Sequence, residues 1–142
     1  NLETVAGGGG YCAGGSGIHV SLSGTDAGIQ YQLYNTGVPV GSLVNGTGLP
    51  YDFGAQTGAG TYTVIASPGG ICATTMTGSA AVTINPLPNA YTVTGGGSYC
   101  NGSTGVAVGL SGSDAGVKYQ LYLGGTAVGS MVPGTGSALS FG

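Results

Sequence analysis

Few side chains in this sequence could do acid–base, nucleophilic or metal chemistry. They are one histidine (His19), four acids (Glu3, Asp26, Asp52 and Asp114), one lysine (Lys118) and three cysteines (Cys12, Cys72 and Cys100). Much of the chain is written twice, 88 residues apart, and the counterpart of His19 is Ala107, so a Ser-His-Asp or Cys-His device could exist in one copy only. Paired-carboxylate catalysis needs two acids held close together, yet the acids are scattered and only Asp26 and Asp114 correspond. Both sit in Asp-Ala-Gly, where a short acceptor side chain and a glycine make a turn, so Asp26, Gly28, Asp114 and Gly116 are read as turn residues. One acid per loop is too few for a calcium site. The residues predict no catalytic set, no metal site and no cofactor.

Other chemical signals fade in the same way. The glycines at 7–10 lack the Gly-Lys-Ser/Thr of a phosphate loop and precede a cysteine instead of a helix, so they read as a close-packed or flexible turn. Lys118 stands where the first copy has Gln30, which argues against a Lys–Asn isopeptide staple in each unit. Asn45-Gly46-Thr47 and Asn101-Gly102-Ser103 match the N-glycosylation pattern, but Pro133 and Ala13 replace their asparagines in the other copy.

The elements that would position these residues follow from the repeat. Shifting the chain by 88 aligns "TVAGGGGYCAGGSG" with "TVTGGGSYCNGSTG", "SGTDAGIQYQLY" with "SGSDAGVKYQLY", and "VGSLVNGTG" with "VGSMVPGTG". About thirty of roughly 54 overlapping positions are identical without a gap. Residues 1–88 therefore read as one complete unit and 89–142 as the first part of a second. "NPLP" at 85–88 is a stiff junction, because proline restricts φ. The chain starts and stops out of phase with its repeat, so it is expected to be a window on a longer tandem array.

Within a unit, apolar and polar residues alternate with period 2, and no helical stripe occurs. Strands are expected over 2–6, 18–22, 29–34, 38–44, 50–53, 61–67 and 80–84, separated by Gly-, Asn- and Asp-rich turns. Tyr31 and Leu33, with their copies Tyr119 and Leu121, point inward. Tyr62 in "GTYTV" suits the tyrosine corner of an immunoglobulin-like sandwich, buried with its hydroxyl bonded to nearby backbone. The expected fold is all-β, a tandem array of immunoglobulin-like β-sandwich repeats of 88 residues. Gln32 and Tyr34 are also kept, as Gln120 and Tyr122, and no core role accounts for them.

Composition narrows the partners. Only 4% of residues are charged and the formal net charge is −3, which leaves nothing to neutralise phosphates, so nucleic acid is not expected. No apolar run reaches the ~20 residues of a membrane helix. The odd cysteine count fits one disulfide per unit, Cys12 with Cys72, and Cys100 with a cysteine outside the window. Such a bond would contribute on the order of 4 kcal/mol and imply export. Strand counting nevertheless puts Cys12 and Cys72 at opposite ends of the sandwich unless one segment between them is partial or irregular.

The order of "GGGSYCNGSTGVAVGLSGSDAGVKYQLYLGGTAVGS", "GTYTVIAS" and "CATTMTGSAAVTINPLP" resembles the tandem Ig-like repeats of giant Bacteroidota surface adhesins. That group includes SprB-like gliding-motility proteins and other substrates of the type IX secretion system. The resemblance implies a secreted cell-surface filament whose partners are neighbouring repeats and an unidentified surface or glycan ligand. The leading expectation is a non-catalytic stalk segment serving attachment, with a link to gliding motility. An alternative is a subunit of an extracellular fibre, self-associating end to end or laterally, in which the unfinished second unit takes a strand from a neighbour. A third reading, a carbohydrate-binding module, would use Tyr34 and Tyr122 as surface contacts.

Overall fold

The computed structural model describes residues 1–142, which contain strands and turns and no helix. The chain divides into two compact units, Asn1–Leu87 and Pro88–Gly142.

The first unit holds β1 (Val5–Gly7), β2 (Gly9–Cys12), β3 (Ile18–Leu22), β4 (Gln30–Asn35), β5 (Val38–Asn45), β6 (Tyr51–Gln56), β7 (Gly60–Ala66), β8 (Thr74–Thr75) and β9 (Ala80–Asn85). One sheet has the order β1-β3-β6 and the other β2-β9-β7-β4-β5, with β8 attached to β7. All pairings in these two sheets are antiparallel except β2 with β9. The alternation in "GTYTVIA" sends Tyr62, Val64 and Ala66 inward, each almost fully buried. They meet Val5, Val20 and Leu22 of the other sheet, together with Tyr31, Leu33, Ala80 and Val82, in a single core. Each large apolar side chain so buried contributes about 1.5–3 kcal/mol by transfer. This is a sandwich-like, all-β arrangement.

The tetraglycine is close-packed, one of its two expected forms, but it is not a turn. Gly7 ends β1, and Gly9 and Gly10 open β2, so the segment carries the chain from one sheet to the other instead of forming a plain turn. Gly7 and Gly8 have φ of 102° and 85°. A Cβ on Gly7 would lie 2.1 Å from the His19 carbonyl oxygen, and one on Gly8 would lie 2.7 Å from that of Ala81. Only glycine tolerates both the positive φ and that approach. The first strand begins at Val5 and not at Leu2, which is exposed, and β2 and β8 were not anticipated. In β8 only Thr74 and Thr75 pair with β7, too few residues for alternation to show.

The second unit holds β10 (Val93–Gly95), β11 (Val108–Leu110), β12 (Lys118–Leu123), β13 (Thr126–Pro133) and β14 (Leu139–Ser140). Its sheets are β10-β11-β14 and β12-β13. Their registers repeat those of the counterpart strands: Val93 faces Leu110 as Val5 faces Leu22, and Leu121 faces Val128 as Leu33 faces Val40. Both β4–β5 and β12–β13 carry a bulge at the same place, between Tyr31 and Leu33 and between Tyr119 and Leu121. No strand of this unit stands where β7 and β9 stand in the first.

Candidate functional site

The doubled phrase Ser-Gly-x-Asp-Ala-Gly is a lock on the fold. The Ser23 hydroxyl accepts from Thr4 N–H, and Ser111 accepts from Thr92 N–H in the same way. The next hydroxyl, Thr25 or Ser113, donates to the carbonyl of Leu49 or Ser137 and accepts from the amide of Thr47 or Thr135. The Asp26 and Asp114 amides donate to the hydroxyls of Tyr31 and Tyr119, 2.8 Å in each case. Gly28 and Gly116, at φ 83° and 84°, complete the turns.

The aspartate side chains fasten the start of each unit. Asp26 Oδ2 lies 2.8 Å from the Asn1 nitrogen. Asp114 accepts from the Asn89 amide at 2.7 Å, from Asn89 Nδ2 at 2.9 Å and from the Tyr91 hydroxyl at 2.7 Å. The Asn89 bonds, reinforced by Tyr91, hold the Asp114 carboxyl below its ordinary range. The same carboxylate pushes the Tyr91 phenol upward. Hydrogen bonds to the ionised form of one group and the neutral form of the other have this effect.

Gln32 and Gln120 occupy the two bulges. Gln32 Nε2 donates to the carbonyls of Leu33, Val40 and Gly41, and Gln120 Nε2 to those of Leu121, Val128 and Gly129. A bulge leaves carbonyls outside the regular ladder, and the amide satisfies them. Identity between the copies was the signal for this role, but alternation alone reserved the position for the solvent face. Gly46 and Gly134 are also shared; a Cβ there would lie 2.1 Å and 2.0 Å from the Asp26 and Asp114 carbonyl oxygens.

Tyr62 is 2% exposed, and its hydroxyl donates to the Gly58 carbonyl at 2.8 Å. Tyr31 and Leu33 are buried, whereas Tyr119 and Leu121 are half-buried. Tyr34 is half-buried and Tyr122 is 62% exposed. His19 meets Asp52, Nδ1 to Oδ2 at 2.8 Å, with both side chains mostly exposed. The Asp52 carboxyl lies below its usual range, first because it accepts from the Gly54 amide and then because of His19. No three His, Cys, Asp or Glu side chains come together as a metal site.

The expected disulfide is corrected. Cys12, Cys72 and Cys100 are all free and exposed. Cys12 stands opposite Asn85, beyond the Gly60 end of β7, whereas Cys72 lies in the turn after Ala66 at the other end. The seven residues of β7 span roughly 20 Å, and bridged cysteines need Cα atoms within about 7 Å. The segments between the two cysteines cross the sheet fully, and the inference of export from a covalent staple falls with the bond.

The second unit contains an apolar groove of about 590 Å³ between its two sheets. Val93, Val108, Leu110, Tyr119, Leu121 and Phe141 line it. Val93 is 67% exposed where its counterpart Val5 is 5% exposed. Leu110 and Leu121 are half-buried where Leu22 and Leu33 are sealed. The same residues thus appear covered in one unit and open in the other.

No protein-family model, no curated protein and no solved structure matches the chain.

Proposed function

We propose that the chain is a non-catalytic structural segment of a large secreted cell-surface adhesin, built from 88-residue immunoglobulin-like repeats strung into a stalk. The observation that carries this reading is the use made of the residues common to both copies. Asp26 and Asp114, Gln32 and Gln120, Tyr31 and Tyr119, and Gly46 and Gly134 all close turns, fill bulges or permit close packing. Residues kept for chemistry would converge on one cleft; these are spent on the frame.

The immunoglobulin-like topology is supported by the facing orders β1-β3-β6 and β2-β9-β7-β4-β5, the parallel β2–β9 pair and the Tyr62–Gly58 bond early in β7. The repeat length is supported by strand registers that recur 88 residues on. The surface location and the link to attachment and gliding rest on the resemblance of the repeat sequence. An antibody to this chain tests the reading by immunoblot and by labelling of intact cells. A surface-accessible band many times larger than 13.5 kDa is expected; an intracellular band near that mass overturns it.

A further inference from the structure

Asparagine is followed by glycine at Asn45-Gly46 and at Asn101-Gly102. Such a pair is reactive in water, because the glycine amide nitrogen, unhindered by a side chain, can attack the asparagine Cγ where the backbone is free to turn. The fold treats the two pairs in opposite ways. Asn45 closes β5 opposite Gln30, whose Nε2 donates to its Oδ1 at 3.2 Å. The Gly46 amide donates to the Ile29 carbonyl at 2.7 Å, and a Cβ on Gly46 would lie 3.0 Å from the Tyr31 ring and closer still to the Asp26 carbonyl. The attacking nitrogen is thus already committed, and a ring has no room to close beside it.

Asn101 and Gly102 are both exposed, in a turn closed by the Ser103 amide and hydroxyl, which donate to the Cys100 carbonyl at 3.0 Å and 2.6 Å. Gly102 has a φ of 91°, a Cβ on it would meet nothing within 4 Å, and neither its amide nor the Asn101 side chain has a hydrogen-bond partner. The first unit builds the same turn with Ala13 in place of Asn101: Gly15 N–H donates to the Cys12 carbonyl at 2.9 Å, and Gly14, at φ 82°, is likewise exposed. The turn is therefore open even where the strand before it, β2, is paired with β9. Elsewhere asparagine precedes Leu2, Thr36 or Ala90, whose side chains hinder attack, or Pro86, which has no N–H.

We propose that Asn101 is a site of spontaneous deamidation, a covalent modification in which water is the only co-reactant. The Gly102 nitrogen bonds to the Asn101 Cγ and gives up its proton, the Cγ–Nδ2 bond breaks and ammonia leaves, forming a succinimide. Water then opens the ring at either carbonyl to give aspartate or isoaspartate, with no oxidation or reduction. Each event adds one negative charge to a chain whose formal net charge is −3, and isoaspartate lengthens the backbone of the turn that carries Cys100. The inference is independent of the stalk reading and stands or falls without it.

The experiment incubates the whole 142-residue chain at mildly alkaline pH, folded and in guanidinium chloride. Peptide mapping by mass spectrometry follows the amide-to-acid conversion at each asparagine, and a protein isoaspartyl methyltransferase labels the isoaspartate formed. In the folded chain Asn101 converts first and Asn45 at least about tenfold more slowly, since Asn45 must await local opening of β5. In denaturant the two sites react alike. Asn101→Ala, which installs the residue that the first unit carries in the same turn, removes the early label. Equal rates in the folded chain, a difference that persists in denaturant, no conversion at Asn101 while the denatured chain reacts, or early label that survives Asn101→Ala each overturns the proposal.

Discussion

At Gln32 an amide enters ground that alternation assigns to the solvent face, and the bulge is what admits it. With three carbonyls facing its Nε2, truncation leaves acceptors unpaired in a nearly buried place. Gln32→Ala is expected to destabilise the first unit by about 1–3 kcal/mol in denaturant titrations, and Gln32→Glu, which replaces a donor by a charge facing those carbonyls, by more. Asp114 has a folded-state pKa below its ordinary 3.8, so its grip on Asn89 and Tyr91 is present above that value and lost as pH falls through the folded pKa. Tyr91 has a raised pKa, so its share is present below about 10.0 and lost as pH rises through the folded value. The second unit should loosen below about pH 4, as followed by exchange of the Asn89 amide, and Asp114→Asn should flatten that acid dependence. At the cysteines, thiol titration of the denatured, unreduced chain should find three reactive groups, and reductant should leave the melting temperature unchanged; fewer than three would contradict the strand geometry.

At the scale of elements, β7 organises the first unit. It pairs with β4, β8 and β9 and contributes Tyr62, Val64 and Ala66 to the core. Tyr62→Phe keeps the ring and removes the bond to Gly58, at an expected cost of about 1 kcal/mol by denaturation. The loops need glycine for a different reason. Gly46→Ala forces a Cβ against the Asp26 carbonyl and must shift the turn that holds Tyr31. The exposed His19–Asp52 pair joins neighbouring strands without closing any core, and such pairs contribute under about 1 kcal/mol.

Over the whole molecule the two units differ in how completely the same residues are covered. Val20, Leu22 and Leu33 are at most 1% exposed, whereas Val108, Leu110 and Leu121 are only partly covered. Apolar area left in water stabilises nothing. Heating a polypeptide of residues 1–142 alone should therefore give two transitions, the second unit unfolding first, and amides of β12 should exchange well before those of β4. A single cooperative transition with equal protection in β4 and β12 would contradict this.

Alternation and turn chemistry made much of the fold legible from sequence: the strands around His19, Tyr31, Val40, Tyr62 and Val82, the turns at Asp26 and Asp114, and the unit boundary near the NPLP run. These are local properties, set by the period of the side chains and the few residues that tolerate a turn. Identity between the copies also marked Gln32, but two of its three partners are carbonyls eight and nine residues away across a bulge, and no periodicity foretells a bulge. The cysteine pairing failed for a related reason: counting cysteines says how many could bond, whereas distance depends on β7 running its full length between them. Only tertiary structure decided that the tetraglycine changes sheets and that Cys12 and Cys72 stand at opposite ends of β7, because both depend on which strands lie side by side and not on what any one strand contains.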